Sequence, residues 1–449
     1  MGTMPVNKLV INMSLPMMIS MLVQALYNIV DSVFVGMISE QALTAVSLSF
    51  PAQNLMIGVA TGTAVGVNAL VSRSLGEKNH EKANRISENG VFLAFLSFVV
   101  FLIFGLFGSR FFMHSQTNVA EIVEYGTQYL RIVCGASIGI FFEIIFERLL
   151  QSTGRTLFTM FTQGIGAIVN IIFDPIFIFA FKMGVKGAAI ATVLGQVVAG
   201  ILAIIFNHKK NSDIKLSLKH FRPDGKLIGQ IYLIGVPSIL MMAIGSIMTY
   251  AMNKILILYT LGKETSATVF GAFFKLNSFF CMPIFGLNNG IIPIIAYNYG
   301  AKNKERMMKA IKLSTIYAEG FSVLGAIVFL SIPGILMSFF SASPEMLAIG
   351  IPALRFAGLS MFAAGFNIAL GAVFQAFGKS MLSMIVSFMR QLVVLIPAAF
   401  LLAKLGMSTG NQNLVWLSYP IAEIMATTVS VINFFILKKK TIDKISDFM

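Results

Sequence analysis

Long apolar runs separated by short polar segments follow one another from residue 9 to residue 437 of this 449-residue chain. A membrane-spanning helix needs about 20 mainly apolar residues, whereas a strand of a membrane barrel has about ten residues of alternating polarity. The continuity of the runs therefore predicts spanning helices rather than barrel strands. Twelve are predicted, at residues 9–37, 42–72, 87–113, 122–150, 157–181, 185–207, 227–260, 265–298, 308–340, 346–376, 380–403 and 413–437.

Composition supports an all-α polytopic membrane protein. The chain is 57% hydrophobic and 12% charged, with a mean hydropathy of +0.83. A soluble globular domain carries about 25% charged residues. Half of that share leaves too little polar surface for a water-soluble particle, so membrane lipids are the expected surroundings.

The net charge of +14 follows the membrane topology. If both termini are cytoplasmic, 23 of the 33 Lys and Arg residues fall in cytoplasmic segments and five fall in outer loops. This asymmetry is the positive-inside rule for membrane proteins. It predicts cytoplasmic N- and C-termini, and it argues against nucleic acid as a partner because the basic residues do not form one face of a soluble domain.

The chain also contains an internal repeat. The segment Ser74–Asn79 recurs as Asn298–Asn303, and Gln151–Arg155 recurs as Gln375–Lys379, with the same offset of 224 residues. An offset of six helices preserves orientation, so two parallel six-helix repeats are predicted, with substrate bound between them. The predicted domains are an N-terminal lobe at 1–208, a basic cytoplasmic loop at 209–226 and a C-terminal lobe at 227–449.

Six acidic residues lie inside the predicted helices, although a charge at the bilayer centre costs about 2.5–3.5 kcal/mol on insertion scales. Each of them therefore needs a partner or a function. They are Asp31, Glu143, Glu147, Asp174, Glu319 and Glu423.

Asp31 and Asp174 are the strongest candidates for binding a cation. Tyr27 precedes Asp31 by four residues and Asn170 precedes Asp174 by four, so each pair shares one helix face. Two neighbouring carboxylates suit reversible proton binding, and clusters of carboxylate, amide and hydroxyl oxygens also suit a hard cation such as sodium. The alternative is that each Asp is a hydrogen-bond partner in helix packing.

Glu143 and Glu147 form an acidic stripe, four residues apart on the predicted fourth helix. The stripe is a candidate contact for a cationic substrate. The alternatives are pairing with Arg148 or Arg131, or extension of the side chains toward the cytoplasm.

Membrane-embedded charges of the C-terminal half have a different interpretation. Lys254, Lys275 and Arg390 are expected to form structural ion pairs with Glu319 and Glu423. The acidic machinery is thus concentrated in the first half of the chain.

Several ordered segments resemble the multidrug and toxic compound extrusion (MATE) family over essentially the whole length. The similarity is greatest to bacterial members of the MepA type, with coupling residues of the DinF-type branch. The segments include Leu26–Ser32, Leu150–Gly154, Asn170–Pro175, Gly184–Ala189 and Tyr297–Gly300.

The resemblance implies a V-shaped pair of lobes in the bacterial plasma (inner) membrane that exports organic cations by alternating access, in exchange for protons or sodium. It also implies that one copy suffices for function and that no cofactor is needed besides the coupling ion. The matching cation-coupling positions are Tyr27, Asp31, Asn170, Asp174 and Thr192, with Gln24 one turn before Tyr27.

Sodium, if it is the coupling ion, is expected at Asp31, Asn170, Asp174 and Thr192. Glu147 departs from the family, because many members have an uncharged amide there. This departure favours cationic ligands.

Two other functions remain open from the sequence. A lipid-linked oligosaccharide flippase of the wider superfamily would share the repeat and the lobes, but it is expected to line its cavity with cationic residues. An integral membrane enzyme is disfavoured, since the four histidines show no HExxH spacing. Gly378-Lys379-Ser380 resembles the end of a phosphate-binding loop, but Val373 occupies the position of the required glycine.

Overall fold

The computed structural model describes residues 1–217, 221–260, 263–340 and 343–445, apart from the side chains of Glu40, Lys263 and Glu264. Throughout these ranges the chain is helical and contains no β-strand. The α-helices are α1 (Val6–Gly36), α2 (Glu40–Gly76), α3 (His80–Ile103), α4 (Ser109–Gln116), α5 (Ala120–Gly135), α6 (Ile138–Ser152), α7 (Thr156–Pro175), α8 (Val185–Lys210), α9 (Gly225–Tyr259), α10 (Lys263–Gly300), α11 (Lys304–Ser331), α12 (Pro333–Ser338), α13 (Pro344–Ala376), α14 (Ser380–Phe388), α15 (Ile396–Thr409) and α16 (Ser418–Lys440).

The predicted twelve spans are confirmed. Among the described residues, eleven helices are long and apolar enough to cross a membrane, and a bent pair of helices makes the twelfth. Continuity through short π-helical turns at Phe104–Gly108 and Met389–Leu395 joins α3 to α4 and α14 to α15.

The predicted fourth helix, 122–150, is not straight. It divides into α5 and α6, which meet at an angle of 44°. The break follows Gly135, where the helix is easily deformed, and the Ser137 hydroxyl donates to the Cys134 carbonyl oxygen at 2.7 Å. The bend sets the direction of α6, which carries the acidic stripe Glu143 and Glu147.

Proline affects the spans unequally. Pro16 and Pro237 lie inside continuous helices. The predicted ninth helix, 308–340, instead stops at Ser331, and Pro333 begins the short α12, because proline cannot supply an N–H to continue the helix. Pro175 is followed by a π-helical turn at Ile176–Ala180.

The two halves pack on each other with a pseudo-two-fold relation. A Cβ added to Gly76 of α2 would overlap the carbonyl oxygen of Tyr297, and a Cβ added to Gly300 of α10 would overlap that of Arg73. Each glycine and each partner recurs 224 residues later in the chain. The reciprocal contact agrees with the predicted duplication and brings two helix backbones into direct contact.

The first turns of α1 and α9 are exchanged between the two cores. Val10 and Met13 of α1 belong to the core formed by helices α10, α11, α13 and α16 of the C-terminal half. Conversely, Leu227 and Ile231 of α9 belong to the core of the N-terminal half. Each half is therefore held by a helix that begins in the other.

The halves meet near one end of the helix bundle, which we call the basic end. It is formed by the loops at 77–79, 153–155, 211–224, 301–303 and 377–379. A Cβ on Gly62 would lie 2.8 Å from the carbonyl oxygen of Gly235, and one on Gly286 would lie 2.7 Å from that of Met17. These close approaches fix how α2 packs on α9 and how α10 packs on α1.

Candidate functional site

Two carboxyl groups from different helices meet inside the N-terminal half. Asp31 of α1 lies within hydrogen-bonding reach of Asp174, which is fully buried on α7. The Asn170 amide, one turn earlier on α7, points at Asp174, with 3.5 Å between Nδ2 and Oδ1. The structure thus brings together the two acids that the sequence singled out, 143 residues apart.

The oxygens of this carboxyl cluster lack hydrogen-bond donors. Asp31 Oδ1, Asn170 Oδ1 and Asp174 Oδ2 are all buried without a hydrogen-bond partner in the described part of the chain. A buried unpaired acceptor is costly and rare, so three in one place indicate a site for something that supplies positive charge. The described residues contain no group of three His, Cys, Asp or Glu side chains that could hold a metal ion. Carboxylate and amide oxygens suit a proton or a hard cation.

Thr192 lies on α8, which packs closely on α7. A Cβ on Gly195 would lie 2.7 Å from the carbonyl oxygen of Gly166 and 3.3 Å from the Asn170 Cβ. Thr192 is buried three residues before Gly195, but no hydrogen bond joins its hydroxyl to the carboxyl cluster in the described residues. The structure therefore places this predicted coupling residue on the adjacent helix without a direct contact of this kind.

Tyr27 connects the carboxyl cluster to the acidic stripe. Its phenol is within hydrogen-bonding reach of the Gln24 side chain, as the predicted set requires, and the charges of Asp31, Asp174 and Glu143 all act on it. The predicted face shared by Tyr27 and Asp31 is therefore one side of a polar region spanning α1, α6 and α7.

Sequence analysis missed two members of this region. The phenol of Tyr129 on α5 is within hydrogen-bonding reach of the Gln53 side chain on α2, and it lies close enough to Asp31 for their charges to interact. Neither residue has a spacing or motif that marks it. Only the packing of α2 and α5 against the second half of α1 brings them to the site.

The two acids of the stripe have different surroundings. Both carboxylate oxygens of Glu147 accept hydrogen bonds, from Thr162 Oγ1 at 2.6 Å and from Gln163 Nε2 at 2.7 Å, and the residue is buried. Glu143 is partly exposed and accepts no hydrogen bond in the described part of the chain. Of the two, Glu143 is the carboxylate left available to a ligand.

The C-terminal half neutralises much of its embedded charge internally. Arg390 pairs with Glu423 at 3.4 Å, as expected, and Asn367 Nδ2 donates to the other oxygen of Glu423 at 2.6 Å. Glu319 accepts a hydrogen bond from the backbone N–H of Phe366 at 2.9 Å. Glu319 therefore binds a backbone amide where an ion pair had been expected.

Lys254 and Lys275 had been expected in the same ion pairs. Both are exposed, and the ammonium group of Lys254 lies 5.9 Å from the ring centre of Tyr250. Neither takes part in an ion pair within the described ranges.

Comparison with known proteins gives consistent matches over the full length. The sequence model of the MatE family matches residues 16–176 and 237–401, one segment in each half. A multidrug export protein MepA of Staphylococcus haemolyticus is 27% identical over 442 residues, covering 98% of this chain and 96% of the relative. The MepA of Staphylococcus aureus strain MRSA252 is 27% identical over 441 residues, with the same coverage.

Solved structures share the fold. A multidrug resistance MATE family transporter of the MOP superfamily, in an outward-facing conformation, superposes with a TM-score of 0.89 at 26% identity and 97% coverage of both chains. A MOP superfamily transporter from Pyrococcus furiosus, described as having a binding pocket of reversed polarity and a different function, superposes with a TM-score of 0.86 at 25% identity, again over 97% of both chains. The two-lobe architecture of these transporters is the architecture of this chain.

Proposed function

This chain belongs to the MatE family, and we propose that it is a secondary active multidrug exporter that expels cationic or amphipathic organic compounds in exchange for protons or sodium. The observation that carries the proposal is the Asp31–Asp174 carboxyl cluster with its unpaired buried oxygens. Such a site is stable only when a proton or cation neutralises it, which is the property a coupling site needs. The names of the staphylococcal relatives support multidrug export.

The coupling set comprises Gln24, Tyr27, Asp31, Asn170, Asp174 and Thr192. A proton or sodium ion arriving from outside neutralises Asp31 and Asp174. Sodium would bind the oxygens of Asp31, Asn170, Asp174 and Thr192, whereas a proton would be shared between the two carboxyl groups. No other cofactor is required.

Helix α1 is built to respond to that neutralisation. Its first half is packed into the core of the C-terminal half, through residues such as Val10 and Met13. In its second half, no residue between Met21 and Phe34 is buried. The segment that carries Asp31 is therefore loosely held, so a change of charge there can alter its conformation at little cost in packing.

Substrate is proposed to bind in the cavity between the lobes, next to the acidic stripe. Glu143 is the primary contact for a cationic group, because it is partly exposed and unpaired in the described residues. Glu147 shapes the same surface through its hydrogen bonds to Thr162 and Gln163. Since the charge of Glu143 also acts on Tyr27, cation uptake at Asp31 and drug binding at Glu143 disfavour each other. An exchanger requires such competition, because each ligand must favour a different state.

The proposed setting is the bacterial plasma membrane, with both termini and the basic end on the cytoplasmic side and one chain as the working unit. The lobes are proposed at 1–208 and 227–449, joined by the loop at 209–226. The proposal includes no enzymatic reaction.

Purified protein in proteoliposomes tests the function. Export of a fluorescent cation such as ethidium would be followed while a proton gradient and a sodium gradient are imposed separately. Uphill export under one gradient supports the exchanger and identifies its ion. If neither gradient drives any organic cation, the exporter is refuted and lipid-linked oligosaccharides become the substrates to test.

A further inference from the structure

A buried arginine links the two halves near the basic end. Arg148 of α6 is only 7% exposed. Its Nη1 donates to Gln151 Oε1 on the same helix and to Asn289 Oδ1 on α10, each at 2.8 Å. Asn289 belongs to the C-terminal half, so this hydrogen bond crosses the interface between the halves.

The surroundings of Arg148 make that crossing bond important to it. No carboxylate forms an ion pair with Arg148 in the described residues, and the oxygens of the adjacent Glu147 are engaged by Thr162 and Gln163. A guanidinium buried without an anion is stable only if amide or carbonyl oxygens take its N–H groups. Gln151 moves together with Arg148, whereas Asn289 is available only while the halves are in contact.

Other described side-chain hydrogen bonds between the halves also lie toward the basic end, but they have backbone acceptors. Ser14 Oγ on α1 donates to the Leu287 carbonyl oxygen at 3.3 Å. Arg306 of α11 donates to the carbonyl oxygens of Met1 and Met4, which precede α1. Only the Arg148–Asn289 bond joins two side chains across the halves in the described part of the chain. It is therefore the contact that a single substitution can tune in either direction.

We propose that Arg148 and Asn289 form a latch that holds the basic ends of the two halves together in this state and must break before the central cavity opens at that end. The latch is a positioning pair and contacts neither the coupling ion nor the substrate. It rests on the alternating-access function proposed above. Because Arg148 directly follows Glu147 on α6, it also ties the acidic stripe to the interface that has to move.

The test is a distance measurement between the basic ends of the halves. Spin labels are placed at Glu81→Cys on α3 and Glu305→Cys on α11, two exposed positions related by the 224-residue repeat. The buried native cysteines, Cys134 and Cys281, are replaced by Ala. Distances are recorded in lipid nanodiscs at acidic and alkaline pH, and the same variants are assayed for ethidium export in proteoliposomes.

Two substitutions at position 289 should act in opposite directions. Asn289→Ala removes the acceptor, and the ratio of the long-distance to the short-distance population should rise about tenfold, as expected for a hydrogen bond to a charged group. Asn289→Asp supplies a carboxylate to Arg148 and should lower the same ratio and slow export. The matched control is Asn288→Ala, whose side chain donates within the C-terminal half to the Ile368 carbonyl oxygen at 3.0 Å; it should leave the ratio unchanged.

Opposite shifts at position 289, with no shift at position 288, support the latch. The latch is overturned if both variants at 289 leave the distances unchanged, or if both shift them in the same direction. Asn289→Ser is a second neutral variant in case the alanine variant does not fold. Because the distances are read without transport, failure of the exporter proposal would appear as absent wild-type export and would be distinguished from failure of the latch.

Discussion

Replacing Asp31 by Asn removes one of the two charges of the coupling cluster while keeping the size of the side chain. Asp31 lies within hydrogen-bonding reach of Asp174, and both acids have an oxygen without a donor. Two unit negative charges about 4 Å apart repel each other by about 4 kcal/mol at an effective dielectric constant of about 20. This repulsion is what favours uptake of a proton or cation, so its loss corresponds to cation binding weakened by about a thousandfold.

The Asp31→Asn protein is therefore expected to fold but to lose gradient-driven export. The assay is ethidium export from proteoliposomes under the gradient that drives the wild type, with protein amount and elution on gel filtration compared beside it. Ser32→Ala is the matched control, because that hydroxyl donates only to the carbonyl oxygen of Asn28 in its own helix, at 2.8 Å. Export by Asp31→Asn at the wild-type rate, still dependent on the gradient, would refute Asp31 as a coupling residue.

Two further predictions concern stability, measured as thermal unfolding in detergent. Gly76→Ala should destabilise the protein by about 1–3 kcal/mol, because its Cβ would meet the rigid carbonyl of Tyr297; Gly164→Ala, at a helical position with open space around it, should not. Equal melting temperatures for the two variants would contradict this account of the helix crossing. Glu423→Gln leaves Arg390 without its ion pair and should cost about 1–3 kcal/mol, below the range for a fully buried pair because the Arg390 side chain is 31% exposed. Adding Arg390→Met should restore part of the loss, and a double variant less stable than the single one would argue against the pair.

Contacts within one helix were predictable from the sequence. Asn170 and Asp174 are four residues apart, so helix geometry alone places them on one face, and the structure shows their side chains facing each other. The repeat likewise predicted that Gly76 and Gly300 would occupy equivalent positions. It could not predict that each would pack on the other helix.

The bend between α5 and α6 was not predictable, because hydropathy is continuous across it. The same limit hid Tyr129 and Gln53, which reach Asp31 only through helix packing. Most of these helices are apolar on every side, so the periodicity that marks the buried face of a helix in a soluble protein is weak. Lipid and protein interior are equally apolar, and the contact faces are set by small residues and by single polar side chains.

The sequence by itself determined the twelve spans, the duplication and the acids that need a partner, because lipid requires long apolar segments and penalises every embedded charge. Tertiary structure alone decided which of those acids meet. It paired Asp31 with Asp174, gave Glu147 two donors on α7 and left Glu143 unpaired in the described residues. It also placed Arg148 against Asn289, 141 residues away. Such contacts depend on how helices that are similarly apolar on all sides rotate and cross, and local sequence does not encode that choice.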